Sequence, residues 1–187
     1  IRHDLKNKLI GIYGIEDDNE LIRTKIKEII GELEDSKKNL YTDNCILNSV
    51  LNIKYSAAQV ADIKIESNIF VPKYMNIDYG DMGVLFGNLL DNAIEANQGV
   101  DRKKRWINVS VKYEEHILII NIKNSKIRGS RRKKKGYLNH GIGLNSVKQI
   151  VEKFNGIVEV QDFGEMYEVS AILYGICDDK DLGKSVL

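Results

Sequence analysis

Apolar residues recur at helical spacing in two stripes near the start of the chain, from Leu5 to Tyr13 and from Leu21 to Leu33. The polar stretch Asp17–Asn19 separates the two stripes, which predicts an antiparallel helical hairpin. A hairpin cannot bury its apolar stripe alone. We therefore expect a second copy of the chain to complete a four-helix bundle.

The remainder of the chain alternates between helical and strand patterns. Helices are predicted over about 43–61, 80–97 and 144–154, and strands over 63–70, 106–113, 117–122, 157–160 and 167–173. The order α-β-α-β-β-loop-α-β-β predicts an α+β fold, a two-layer α/β sandwich with the strands in one layer and three helices in the other. The predicted domains are the hairpin at 1–40, the sandwich at 41–175 and a tail at 176–187.

Two details of the predicted helices can be checked against the structure. Thr42 or Asp43 is expected to cap the first helix of the sandwich. The residues expected to face the core are Ile46, Val50, Ile53 and Ala57 on the first helix, and Val84, Leu85, Leu89, Ala93 and Ile94 on the second. The run Ile117–Ile122 is expected to be a buried strand.

Charge and composition exclude several classes of protein. The 187 residues include 28 Lys or Arg and 27 Asp or Glu, a formal net charge of +1, which argues against a general nucleic-acid binder. Apolar runs are far shorter than the roughly 20 residues of a membrane-spanning helix. Cys45 and Cys177 form neither a disulfide framework nor a zinc motif and indicate a reducing, cytosolic setting. The chain starts without methionine and without a signal peptide, so we expect a fragment of a longer protein.

The first group of candidate residues lies on the hairpin. His3 and Asn7 are four residues apart, so they share one helix face. A neutral imidazole, with a pKa of about 6.5, is a nucleophile at cellular pH, and a neighbouring carboxylate such as Asp4 can fix its tautomer. A surface histidine without a function is the alternative interpretation.

The second group lies on the helix over 80–97. Asn88 and Asn92 are also four residues apart, and asparagine is a poor residue for a helix interior. Their amide oxygens suit Mg²⁺, which prefers hard oxygen ligands and completes its coordination with water and substrate phosphates. A helix cap and a solvated side chain are the structural alternative.

The third group surrounds a long loop at 124–141. Gly141 and Gly143 directly precede a helix, where backbone N–H groups and the helix dipole favour a phosphate. Six basic residues lie between Arg128 and Lys135, as expected of a lid near phosphates, a nucleic-acid contact or a solvated segment. Asn124, after a buried strand, could hydrogen-bond a purine edge or simply form a turn.

In this order and spacing, the motifs resemble those of histidine kinases of the GHKL ATPase superfamily, and most closely the peptide-sensing Agr-type receptor kinases of Gram-positive quorum systems. Arg2-His3-Asp4-x-x-Asn7 is similar to their H box, Asn88–Ala93 to the N box, and Gly141–Leu144 to the second glycine box. The resemblance covers residue 2 to about 174. It implies the GHKL, or Bergerat-type, ATP-binding fold for the sandwich.

The resemblance also implies a role for each group. His3 would accept the γ-phosphoryl group of ATP, with Asp4 assisting and Asn7 placed for the reverse, phosphatase-type reaction. The implied ATP-binding residues are Asn88, Asn92, Asn124, Gly141, Gly143 and Leu144. Asn88 and Asn92 would hold Mg²⁺, and the glycine box would cradle the phosphates beneath a mobile lid at 126–140.

The chain departs from most histidine kinases at the adenine site, where Asn124-Ser125 replaces the usual Asp-x-Gly-x-Gly motif, as it does in the Agr-type group. An amide oxygen accepts from the adenine amine without a charge, so we expect weaker nucleotide binding. This departure favours an alternative function, a phosphotransfer or docking module with a vestigial GHKL domain that binds no ATP. Asn88, Asn92 and the glycine box disfavour that alternative.

The residue at position 88 distinguishes a kinase from an ATPase or a chaperone-like machine. ATP-hydrolysing relatives carry a glutamate there to activate water, whereas Asn88 is no useful base. The resemblance further implies a LytTR-type response regulator as partner and a homodimer formed through the hairpin. It implies a cytoplasmic location below a membrane sensor region that precedes residue 1, and no direct contact with nucleic acid.

Overall fold

A computed structural model describes residues 39–129 and 142–177. The chain divides into two compact units, Ile1–Asn39 and Leu40–Leu187, and the described residues belong to the second unit apart from Asn39. The predicted hairpin therefore lies outside the described residues except for its last two positions.

The second unit is a five-stranded sheet with helices on one face. The described residues form helices α1 (Cys45–Val60), α2 (Tyr79–Asn97) and α3 (Ile142–Lys153) and strands β1 (Lys64–Phe70), β2 (Trp106–Glu114), β3 (Ile117–Ser125), β4 (Ile157–Asp162) and β5 (Met166–Tyr174). The strand order is β1-β2-β3-β5-β4, with β1 and β2 parallel and the other pairs antiparallel. The predicted two-layer α/β sandwich is confirmed.

The alternation along the strands shows that helices cover only one face of the sheet. On β3, Leu118, Ile120 and Ile122 are buried against the helices, whereas Ile119 points to the open face and is 39% exposed. The prediction of a uniformly buried run at 117–122 was therefore wrong. A strand covered on one face buries only every second side chain.

Helix α1 uses a different N-cap from those predicted, and only part of the predicted face packs inward. Its N-cap is Asn44, whose side-chain oxygen accepts a 3.0 Å hydrogen bond from the backbone N–H of Leu47. Ile46 and Val50 are half-buried and pack against the core as predicted, whereas Ile53, at 60%, and Ala57 are exposed. The buried side chains form the neighbouring stripe Leu47, Leu51, Tyr55 and Ala58.

Helix α2 lies at the centre of the helical layer and contacts α1, α3, β2 and β3. The Asp78 carboxylate caps it, accepting from the Gly80 N–H at 2.8 Å. Leu85, Leu89 and Ala93 are buried as predicted, but Val84 is 43% exposed because it lies outside the buried stripe of α2.

Gly156 explains how α3 connects back to the sheet. A β-carbon at this position would lie 2.1 Å from the backbone oxygen of Ile172 on β5. Only glycine allows the chain after α3 to approach β5 this closely.

The hydroxyl group of Tyr55 on α1 is buried without a hydrogen-bond partner among the described residues. Its ring packs edge-on against Tyr41, with ring centroids 4.7 Å apart, and its hydroxyl makes no hydrogen bond of normal geometry within the described part of the chain. Burial raises the pKa of Tyr55 to about 12, an effect that the Ser67 side chain only partly offsets. The hydroxyl therefore costs stability, and the phenolate would cost more.

We predict that Tyr55→Phe raises the free energy of unfolding by about 1 kcal/mol at pH 7, because it removes a buried, unpaired hydroxyl. This difference in the free energy of unfolding between Tyr55→Phe and the wild type should grow above pH 10. Since the folded-state pKa is raised, the wild type loses stability as pH rises from 10 through 12, and the variant lacks this loss. Urea unfolding at pH 7 and pH 11 measures both effects, with Tyr74→Phe, at a 47% exposed site, as the control. Equal stability of wild type and Tyr55→Phe at both pH values would contradict the prediction.

Candidate nucleotide site along helix α2

Helices α2 and α3 run antiparallel, and their contacts fix where α3 begins. Lys153, in the last turn of α3, forms a 2.9 Å ion pair with Asp81 in the first turn of α2. At the other end of α3, a β-carbon on Gly143 would lie 3.2 Å from Oδ1 of Asn88. The N-terminal end of α3 therefore lies beside the middle of α2, where Asn88 stands.

Asn92 lies one helical turn, about 6 Å, farther along α2. Because α3 starts at Ile142, it does not extend alongside Asn92. The first four backbone N–H groups of a helix have no partner within the helix and carry its positive dipole end. Asn88 lies beside the turn of α3 that carries these N–H groups, and a site of this kind suits an anionic group held near hard oxygen ligands.

Asn88 and Asn92 are half-buried, and neither side chain hydrogen-bonds to any described residue. Their polar side-chain atoms reach solvent, since within the described residues only the Tyr55 hydroxyl is a buried side-chain polar atom without a partner. Their oxygens remain available to a ligand. The described residues include no group of three or more His, Cys, Asp or Glu side chains that could hold a metal ion. A magnesium ion here would therefore depend on these amide oxygens, on water and on the phosphates of a ligand, a ligand set that fits Mg²⁺.

The glycine box is described only in part. Gly141 lies outside the described residues, and Gly143 is in the first turn of α3. Gly143 and Asn88, predicted separately from the sequence, are thus brought into contact. The Leu144 side chain packs against the hydrophobic core, so its backbone N–H is the group left for a phosphate.

Asn124 ends the inward-facing row of β3 and is only 2% exposed. Ile107 on β2 and Tyr167 on β5 flank it in the register of the sheet. Its Nδ2 donates to the carbonyl of Ser125 at 2.9 Å, while its Oδ1 accepts no hydrogen bond from the described residues. The side chain therefore presents a hydrogen-bond acceptor at the polar end of the sheet.

A buried network that the sequence analysis missed joins α2 to the end of β3. Asn97, the last residue of α2, is completely buried, and its Oδ1 accepts from the Ser125 hydroxyl and, at 3.2 Å, from the backbone N–H of Trp106. A sequence signal existed, since Asn97 is a third asparagine near the end of one predicted helix. Its burial could not be known before the sheet register was known.

The predicted lid at 126–140 is described only over its first four residues. Lys126 forms an ion pair with Asp162, and its backbone N–H donates to Glu165 at 2.9 Å. The hydrogen bond from Lys126, together with the Gly164 N–H, lowers the pKa of Asp162. The segment is thus anchored where it leaves β3, and of the six basic residues between Arg128 and Lys135 only Arg128 is described.

His3, Asp4 and Asn7 lie outside the described residues. Their predicted roles, and those of the ATP-binding residues, remain predictions. Within the part of the chain that the structure describes, no helix is both long enough and apolar enough to cross a membrane.

Comparison with known proteins places this arrangement in a family. Residues 77–173, just over half of the chain, match the GHKL domain. The chain belongs to the GHKL family. No curated protein matched the sequence.

Solved histidine kinases share the fold. The catalytic domain of histidine kinase ThkA aligns with a TM-score of 0.56 at 14% identity, over 71% of this chain and 91% of that one. Histidine kinase AdeS of Acinetobacter baumannii gives 0.53 at 15% identity, over 92% and 94%. Full-length ShkA in complex with AMPPNP gives 0.54 at 15% identity, over 72% of this chain and 30% of that chain. At these identities the similarity concerns the fold, which is that of the ATP-binding domain of histidine kinases.

Proposed function

We propose that the chain is the cytoplasmic kinase portion of a two-component sensor histidine kinase, which phosphorylates His3 with Mg-ATP. The observation that carries the proposal is that the amide oxygens of Asn88, Asn92 and Asn124 accept no hydrogen bond from the described residues of a GHKL domain. Asn88 lies beside the start of α3, Asn92 lies one helical turn farther along α2, and the acceptor of Asn124 lies at the sheet end joined to α2. ATP lying along the C-terminal half of α2 would meet all three.

The length of α2 supports this placement. Nine residues separate Asn88 from Asn97, which corresponds to about 13 Å of helix. Asn97 bonds Ser125, the neighbour of Asn124. A nucleotide with its adenine amine at Asn124 and its phosphates at Asn92 and the α3 N-terminus would lie parallel to α2, and Tyr167 would flank the base.

Asn88 and Asn92 would hold the magnesium ion together with the phosphates. When bound, Mg²⁺ neutralises negative charge on the phosphates. The backbone N–H groups of Gly143 and Leu144 add positive potential from the end of α3. Phosphoryl transfer depends mainly on such positioning and charge compensation.

In the proposed reaction, one imidazole nitrogen of His3 attacks the γ-phosphorus of ATP. A P–N bond forms, the bond from the γ-phosphorus to the bridging oxygen breaks, and ADP leaves with that electron pair. Asp4 would hold the proton on the other ring nitrogen. In the second transfer, an aspartate oxygen of a response regulator attacks the same phosphorus and the P–N bond breaks.

The proposal includes several finer expectations that rest on the sequence resemblance. The kinase belongs to the Agr-type group, acts on a LytTR-type regulator and dimerises through the 1–40 hairpin. A sensor region preceding residue 1 would anchor the full protein to the cytoplasmic side of the membrane.

We predict that the chain binds Mg-ATP and that Asn92→Ala raises the Kd at least tenfold. The substitution removes an oxygen ligand of the phosphate-bound metal, and a tenfold change corresponds to about 1.4 kcal/mol. Calorimetric titration measures the Kd. The control is Asn68→Ala, since Asn68 is an exposed residue of β1, the edge strand remote from α3. Absence of ATP binding in the wild type would instead favour the docking module with a vestigial nucleotide domain.

We predict that incubation with γ-labelled ATP and Mg²⁺ gives an acid-labile phosphoryl group on the wild type and none on His3→Gln. Steady-state ATP hydrolysis should stay slow, because Asn88 cannot take a proton from water. Label that survives acid, or that remains in His3→Gln, would contradict phosphohistidine. Rapid hydrolysis that survives His3→Ala would identify an ATPase instead.

A further inference from the structure

Asn97 uses all four of its hydrogen-bonding positions in the interior. Its Nδ2 donates to the carbonyl oxygens of Ala93, at 2.9 Å, and Trp106, at 3.3 Å. Its Oδ1 accepts from the Ser125 hydroxyl and from the Trp106 N–H, a single donor that is shared with the Ser125 oxygen. An amide offers two donors and two acceptor positions, so this side chain is saturated and held in one orientation.

Ser125 is held equally firmly. It is 5% exposed, and its hydroxyl donates to Asn97 while accepting from the Trp106 N–H at 3.1 Å. These bonds fix the last residue of β3 against the first residue of β2 and the last residue of α2. The peptide group that carries the Ser125 carbonyl is held from both sides, by these bonds through Ser125 and by the Lys126 N–H, which donates to Glu165 at 2.9 Å. Asn97 therefore contributes to the position of the Ser125 carbonyl together with Lys126.

That carbonyl orients Asn124. A carbonyl oxygen only accepts hydrogen bonds, so the Asn124 group facing it, at 2.9 Å, must be the NH₂ group. The carbonyl of Asn124 is then left as the group available to a ligand. If the carboxamide rotated by 180°, it would present a donor instead.

We propose that Asn97, acting through Ser125, is a positioning residue that fixes Asn124 as an acceptor and thereby makes the site select a 6-amino purine over a 6-oxo purine. The inference rests on the proposed function, because it requires Asn124 to contact the base. Neither Asn97 nor Ser125 touches the nucleotide in this arrangement.

The selectivity follows from matching donors and acceptors. The exocyclic amine of adenine donates to the Asn124 oxygen, whereas a 6-oxo group in the same place would set two acceptors against each other. A site built to receive a hydrogen bond rejects an analogue that lacks the donor, because buried polar groups are then left unpaired. Asn124 carries no charge and its amide could be rotated, so the selectivity depends on what holds the amide.

The test compares the Kd values of Mg-ATP and Mg-ITP, which differ at the 6-position of the purine. We expect the wild type to prefer ATP by at least tenfold. Ser125→Ala, which removes the hydroxyl with little change in volume, should lower the ratio of the two Kd values at least threefold. Ser125→Thr keeps the hydroxyl and should restore the ratio to within about twofold of wild type.

Asn97→Ala should lower the ratio as Ser125→Ala does, and the double variant should lower it no further, because both substitutions interrupt one path. Asn76→Ala is the matched control. Asn76 also uses its amide to bridge two backbone groups, Gly175 O and Cys177 N, but at the opposite end of the sheet. The variant Asn76→Ala should lower the free energy of unfolding and leave the ratio of the two Kd values unchanged.

The outcomes separate this inference from the proposed function. If the wild type binds neither nucleotide, the proposed function fails and the inference fails with it. If the wild type prefers ATP but Ser125→Ala keeps the full ratio, only the positioning role of Asn97 and Ser125 is overturned. An equal fall in the ratio for Asn76→Ala would also overturn it, since the effect would then reflect general loosening.

Discussion

Helix α2 buries one face in the core and leaves an adjacent face open, and the other elements of the unit pack around this helix. Phe86, Leu89 and Leu90 hold the helix in the core. On the side toward α3, Asn88 and Asn92 remain without a protein partner. Helix α3 covers the first half of this side and begins at Ile142, beside Asn88, so Asn92 lies beyond its start.

The end of α2 differs from its middle in how its asparagine is bonded. A saturated buried amide stabilises a fold and specifies one arrangement. Asn97 is such an amide, and it ties α2 to β2 and β3 through three hydrogen bonds, with a fourth to Ala93 within α2. The three asparagines of α2 therefore differ. Asn88 and Asn92 are half-buried without a partner among the described residues, whereas Asn97 is buried and fully hydrogen-bonded.

The sequence predicted the layers of the sandwich better than it predicted the packing faces. Period-two and period-3.6 patterns located all five strands and all three helices of the described unit, because periodicity reflects one-sided burial. On α1, two apolar stripes compete, and only the packing against β1 and α2 decides that Leu51 and not Ile53 is buried. Asn97 and its bond to Ser125 were missed because a buried hydrogen-bond network depends on the register Ile107–Asn124, which no local pattern encodes.

We therefore propose that one nucleotide lies along α2, with its base at the end of β3 that carries Asn124 and its phosphates at the start of α3. Titration of the chain with Mg-ATP, followed through the side-chain NH₂ resonances of its asparagines by nuclear magnetic resonance, tests this placement most directly. The account predicts shifts for Asn88, Asn92 and Asn124 and unchanged resonances for Asn52 and Asn76, which lie on α1 and at the opposite end of the sheet. Shifts confined to Asn52 and Asn76, or no shift at any of these side chains, would contradict it.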